Sequence, residues 1–230
     1  MNDGVVIIPT YNEKENAENI IRAVLGLPKM FHVLIIDDNS PDGTAAIVKG
    51  LMNEFPGRLH ILEREGKLGL GTAYITGFKW ALEHGYEYIF EMDADFSHNP
   101  NDVLKLHKAC SEEGADVAIG SRYISGVNVV NWPMGRVLMS YFASKYVRMV
   151  TGMKVADTTA GFKCYRREVL ETIELDKSKH HKSKFLHYFT SCSLRAATFF
   201  ASSLHILRKP KIMHSPTAKR NMTDKWRGTL

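Results

Sequence analysis

"VVIIPT" at residues 5–10, "NEKENAENIIRAVLGL" at 12–27 and "HVLIIDD" at 32–38 decide the fold. The outer two are unbroken apolar runs rich in β-branched residues, the pattern of strands buried on both faces. The middle stretch carries acids early and sets Ile20, Ile21, Val24 and Leu25 at helical spacing. Strand, helix, strand within 38 residues reads as a parallel βαβ unit with a right-handed crossover.

The alternation continues outward. Pro41, Asp42 and Gly43 form a turn, 44–55 reads as a helix, "LHILE" (59–63) as a strand, and Gly69 to Glu83 as a helix. Ala73, Gly77 and Ala81 give that helix a small-residue face for close packing on the sheet. "YEYIFEMDAD" (86–95) reads as a fourth strand, 101–113 as a helix and "DVAIGSRY" (116–123) as a strand. Residues 133–150 have helical character, with Arg136, Ser140, Ser144 and Arg148 in a narrow polar stripe against a broad apolar face. A short strand and helix follow within 156–173. The expected fold is α/β: one Rossmann-like domain, mostly parallel, with helices on both faces of the sheet.

Composition agrees with a globular chain. Of 230 residues, 44% are hydrophobic and 24% charged, which is enough to build a core and argues against wholesale disorder. Three cysteines at scattered positions fit neither a disulfide framework nor a zinc site, and favour a reducing compartment. The first residues enter a strand without a signal-peptide pattern, and no apolar run reaches the length of a spanning helix, so any membrane contact is expected to be peripheral. A net charge of +5 fits anionic partners such as nucleotides, phosphates or acidic lipids, and fits an ordinary lysine-bearing surface equally well.

Ligands of parallel sheets bind beyond the carboxyl ends of the strands. Three polar clusters fall there: "PTYNE" (9–13), "DDNSPDGT" (37–44) and "DADFSH" (93–98). In an extended segment Asp93 and Asp95 share a face, where their mutual repulsion calls for a cation. A hard divalent ion bridging to a phosphate suits two carboxylates, although an aspartate capping the next helix reads the same. Asp37 and Asp38 similarly suit either a ribose or base contact or turn chemistry.

Taken in order, "VVIIPTYNEKEN", "IIDDNSPDGT", "LGLGTAY", "DADFSHNP", "GSRY" and "AGFKCYRREVL" resemble the inverting GT-A-fold nucleotide-sugar transferases, and among them the dolichol-phosphate (polyprenol-phosphate) mannosyltransferases. The resemblance covers about residues 4–177. It implies transfer of mannose from GDP-mannose to a polyprenyl monophosphate, assisted by Mg2+ or Mn2+. Pro9, Tyr11, Glu13, Ile36 and Asp38 would then hold the guanosine end. Asp93, Ala94 and Asp95 would sit at the diphosphate and metal, with Asp95 the direct ligand and Ser97 at a position where relatives supply a further one. Arg122 would hold anionic substrate groups. Arg136 would meet the lipid phosphate, with Trp132 anchoring 133–150 at a membrane surface. A phosphate nucleophile needs no strong base, in keeping with the lack of a Ser-His-Asp or Cys-His set; His98 reads as structural. The expected location is the cytoplasmic face of a membrane, held peripherally, with no nucleic-acid partner and any protein partner left open. The alternatives are a transferase moving glucose or N-acetylglucosamine from UDP to a lipid phosphate or saccharide, and an inactive nucleotide-binding homologue.

The domain is expected to span 1–177. Residues 178–230 depart from the family, lacking its "F-x-D-R" and basic Ser-Lys loop. A reading-frame slip after Lys177 and a disordered basic tail both account for this.

Overall fold

The computed structural model describes residues 3–121, 135, 141–143, 145–146, 149, 157, 160–173 and 175, together with the backbone of 211–213. In chain order the elements are β1 (Gly4–Thr10), α1 (Lys14–Leu25), β2 (His32–Asp37), α2 (Thr44–Met52), β3 (Leu59–Glu63), α3 (Leu70–Glu83), β4 (Tyr88–Glu91), α4 (Asp102–Ser111), β5 (Val117–Gly120), β6 (Lys163–Arg166), α5 (Arg167–Thr172) and β7 (Lys211–Met213). The strands form one sheet in the order β3-β2-β1-β4-β6-β5-β7. The pairs β1–β2, β2–β3, β1–β4 and β5–β7 are parallel, and β6 runs antiparallel to both β4 and β5.

The apolar runs explain the layers. Alternate residues of a strand face opposite ways, so Val6 and Ile8 of β1 join Ile20, Ile21 and Val24 of α1, Val48 of α2 and Leu106 of α4 in one core. Val5 and Ile7 join Tyr74, Phe78 and Ala81 of α3 in the other. All four β1 side chains are fully buried, each contributing about 2 kcal/mol of hydrophobic stabilisation. Gly77 lets α3 approach β1, since a Cβ there would lie 2.6 Å from Ile7 Cγ2.

The chain lays down β1, β2 and β3 outward in one direction, then returns through α3 to place β4 on the other side of β1. That reversal opens the crevice in which doubly wound sheets bind ligands. Strand order thus brings the loops after β1, β2 and β4 together.

The mostly parallel α/β sheet matches the sequence expectation. One expectation needs correction: β4 stops at Glu91, so Met92 to Asp95 lie beyond the ladder. Asp93 and Asp95 are therefore not neighbours on a continuous strand face. Asp93 is half-buried and Asp95 is exposed on the following turn.

Candidate active site

Register puts the predicted nucleoside residues side by side. Pro9 pairs with Ile36 across β1 and β2, so the next alternate residues, Tyr11 and Asp38, leave the sheet next to each other. Ile7 pairs with Glu91 across β1 and β4; carried two residues further, that register sets Asp93 level with Pro9. Ile36 and Asp93 then flank β1, roughly 10 Å apart at ordinary strand spacing.

Asp37 and Asp38 have different roles. Asp37 is fully buried and saturated: Thr10 Oγ1 donates to its Oδ1 at 2.8 Å, Ser40 Oγ to the same oxygen at 2.7 Å, and Ser40 N to Oδ2 at 2.8 Å. It holds the β1 and β2 loops together. Asp38 is buried against Arg64, whose Nε donates to Oδ1 at 2.6 Å and whose Nη2 reaches the same oxygen. Arg64 also donates to Thr72 Oγ1 at 2.7 Å, tying the β2 and β3 loops to the start of α3. Tyr11 is partly exposed, with Lys67 Nζ 4.3 Å from its ring centroid. Glu13 is half-buried; its backbone N donates to Thr44 Oγ1 at 3.2 Å, and its Oε2 accepts from Asn16 Nδ2 at 3.1 Å.

At the β4 end, Tyr74 Oη donates to Asp93 Oδ1 at 3.2 Å. Burial, reinforced by the charge of Asp95 and then of Glu91, pushes the Asp93 carboxyl up to about 6; the Tyr74 hydrogen bond and Lys163 pull the other way. A carboxyl whose ionisation is opposed by burial and by a neighbouring carboxylate is what a cation would relieve. Ala94 is buried between them. Ser97 is exposed, and its N donates to Asp95 Oδ1 at 2.9 Å, which shapes the turn. Among the described residues no three His, Cys, Asp or Glu side chains are placed to hold a metal ion. The oxygen-only chemistry of the carboxylate pair fits a hard divalent ion that takes its remaining ligands from phosphate and water.

Among the described residues, three non-glycine residues adopt left-handed backbone: Asn12 after β1, Asn39 after β2 and Phe96 after β4, with φ of 58°, 57° and 55°. Asparagine tolerates this region; phenylalanine does so rarely. Such strain concentrates where loops are shaped for binding, and all three loops here border one crevice.

Arg122 and Arg136 fall outside the described residues, as does Trp132. Sequence reasoning missed Arg64, Tyr74, Glu91, Gly161 and Lys163. Arg64 carried a signal: it follows the third strand just as Asp38 follows the second. His98 stacks on Phe162, ring centroids 5.0 Å apart, in line with a structural role.

Residues 5–174 match the family described as Glycosyl transferase family 2. The chain belongs to that family. It is 48% identical over 171 residues to the polyprenol monophosphomannose synthase of Mycolicibacterium smegmatis, an alignment covering 74% of this chain and 64% of the relative. It is 42% identical over 172 residues to the undecaprenyl-phosphate mannosyltransferase of Micrococcus luteus, covering 75% and 70%. The matched part thus spans about two thirds of these relatives. A solved mannosyltransferase from Pyrobaculum calidifontis, in complex with GDP-Man and Mn2+, has the same fold, with a TM-score of 0.51 at 18% identity over 95% of this chain and 58% of that one.

Proposed function

We propose that this family 2 domain transfers mannose from GDP-mannose to a polyprenyl monophosphate with inversion. The observation that carries the reading is the pair Asp93 and Asp95 at the sheet's reversal point, in a chain 48% identical to a polyprenol monophosphomannose synthase. In this reading Asp38, presented by Arg64, and the Pro9, Tyr11, Glu13 and Ile36 surface hold the guanosine. Asp93, Ala94 and Asp95 hold the diphosphate and its Mg2+ or Mn2+, with Ser97 at the rim of that set. When bound there, such an ion would supply positive charge to offset that developing on the departing diphosphate. The acceptor phosphate is already anionic at neutral pH, so the protein's task is to align two anions and exclude water. Arg122 serves the anionic groups and Arg136 the lipid phosphate. We assign residues 1–177 to the catalytic domain and treat 178–230 as an atypical segment whose Lys211–Met213 adds β7 to the edge of the domain's sheet.

A lipid acceptor requires contact with a membrane, and no helix among the described residues is long and apolar enough to cross one. We place the domain peripherally, on the cytoplasmic face. Supporting this, a helical segment between β5 and β6 exposes Tyr141, Phe142, Tyr146 and Met149, the last 75% exposed, beside exposed Lys145. Aromatic and apolar side chains next to a cation suit the boundary between headgroup and acyl chain.

The test is incubation with radiolabelled GDP-mannose or UDP-glucose, polyprenyl phosphate and Mn2+ or Mg2+, followed by organic extraction. Label entering the lipid phase from GDP-mannose is expected. Label entering only from UDP-glucose would replace the donor assignment.

A further inference from the structure

We infer that the turn at Gly161, Phe162 and Lys163 is the positioning element for the carboxylate loop 93–98, with Gly161 as the residue that sets where the Asp93 carboxyl lies. This rests on the reading of Asp93 and Asp95 as the metal and diphosphate ligands.

Three consecutive residues each engage the β4 end, and strand register explains why. Lys163 pairs with Glu91 across the antiparallel β4–β6 ladder, and its Nζ donates to Glu91 Oε2 at 2.7 Å, with both side chains buried. Two residues further out, the same register sets Gly161 opposite Asp93. A Cβ at Gly161 would lie 2.7 Å from Asp93 Oδ2 and 3.3 Å from Cγ. Gly161 is outside the left-handed region, so the neighbouring carboxyl, rather than the backbone, refuses a side chain here. Phe162 points to the opposite face, as alternation requires. There its ring stacks on His98 at the far end of the loop. Gly120 makes room for that ring, since a Cβ would fall 2.4 Å from Phe162 Cδ1. The loop is thus held at Asp93 from one face of the sheet and at His98 from the other. Replacing residues that fix the orientation of metal ligands typically costs about 10- to 100-fold in metal affinity.

The experiment measures GDP binding by calorimetry across a Mn2+ titration and again in EDTA, alongside thermal denaturation. Gly161→Ala should raise the Mn2+ needed for half-maximal GDP binding by roughly tenfold, while GDP affinity in EDTA stays within about twofold because the nucleoside residues lie on β1 and β2. Gly77→Ala, equally crowded but packed on Ile7, serves as the structural control and should leave the Mn2+ dependence unchanged. A Mn2+ dependence in Gly161→Ala equal to wild type, or an equal loss with and without Mn2+, would overturn the inference. If Gly161→Ala fails to fold, Phe162→Leu, which keeps an apolar side chain but removes the ring under His98, faces the same expectation and the same overturning results. Asp95→Asn separates the two levels. Should it leave the Mn2+ dependence intact, the metal reading falls and the inference with it. Should it abolish that dependence while Gly161→Ala does not alter it, the inference alone falls.

Discussion

Asp93 sits between Tyr74, which donates to it, and Asp95 and Glu91, whose charges oppose its ionisation; with burial the balance raises its carboxyl from an ordinary 3.8 to about 6. A carboxyl whose folded value is raised takes up its proton in the folded protein first. Its contribution to stability is therefore fully present below the unfolded value and is lost as pH rises through about 6. The metal-free wild type should accordingly gain stability relative to Asp93→Asn as pH falls from about 7 to about 5. Urea denaturation of both proteins at several pH values measures this, and a pH-independent difference would contradict it. Arg64 offers a second test at this scale. Its side chain and that of Asp38 are 8% and 9% exposed, so Arg64→Met strands a buried carboxylate, and breaking such a pair costs about 3 kcal/mol or more. Denaturant midpoints should drop accordingly, and GDP should bind more weakly because Asp38 is no longer held toward the crevice. Unaltered GDP affinity in a folded Arg64→Met protein would remove Asp38 from the nucleoside site.

The helices and strands were legible because their signals are local. Unbroken apolar runs marked β1 and β2, and 3.6-residue periodicity marked α1 to within two residues at each end. The small-residue face of α3 was legible for the same reason, and Gly77 does meet β1. Replacing Gly77 by alanine gains up to about 1 kcal/mol of helix propensity, but it forces Ile7 aside, and overpacking costs about 1–3 kcal/mol. The contact at 2.6 Å decides in favour of the second effect. A lowered Tm for Gly77→Ala is expected, and an unchanged or higher one would mean that α3 can lift from the sheet without loss. The end of β4 was not legible. "YEYIFEMDAD" is apolar enough to continue as a strand, but its β6 partner begins only at Lys163, which pairs with Glu91, so that ladder ends there although β1 runs on to Thr10. Nothing local in the sequence announces where a neighbouring strand ends. The same applies to Gly161 and Lys163, whose importance comes from a cross-strand register joining residues about seventy positions apart.

At the scale of the whole molecule the reversal between β3 and β4 brings the nucleoside and carboxylate loops together; the polar clusters at the carboxyl ends of the strands were legible in the sequence, and the reversal was not. The antiparallel insertion of β6 between β4 and β5 was beyond sequence reading, because strand order follows from packing across the full sheet. The membrane surface belongs to this scale as well. If Phe142 and Met149, 58% and 75% exposed, enter the lipid boundary, each recovers part of the roughly 1.5–3 kcal/mol available from burying such a side chain, and Lys145 adds about 1 kcal/mol near an acidic surface. Aspartate at both positions removes the apolar gain and adds repulsion from acidic headgroups. Binding to vesicles containing anionic phospholipid should therefore weaken by roughly tenfold or more. Both residues are already exposed, so the double variant should keep the wild-type Tm and its Mn2+-dependent GDP affinity. Transfer to polyprenyl phosphate in vesicles should fall with vesicle binding, whereas transfer to a short, water-soluble acceptor phosphate should not. Cosedimentation with vesicles and the two transfer assays measure these quantities. Undiminished vesicle binding by the double variant would exclude this segment as the membrane contact.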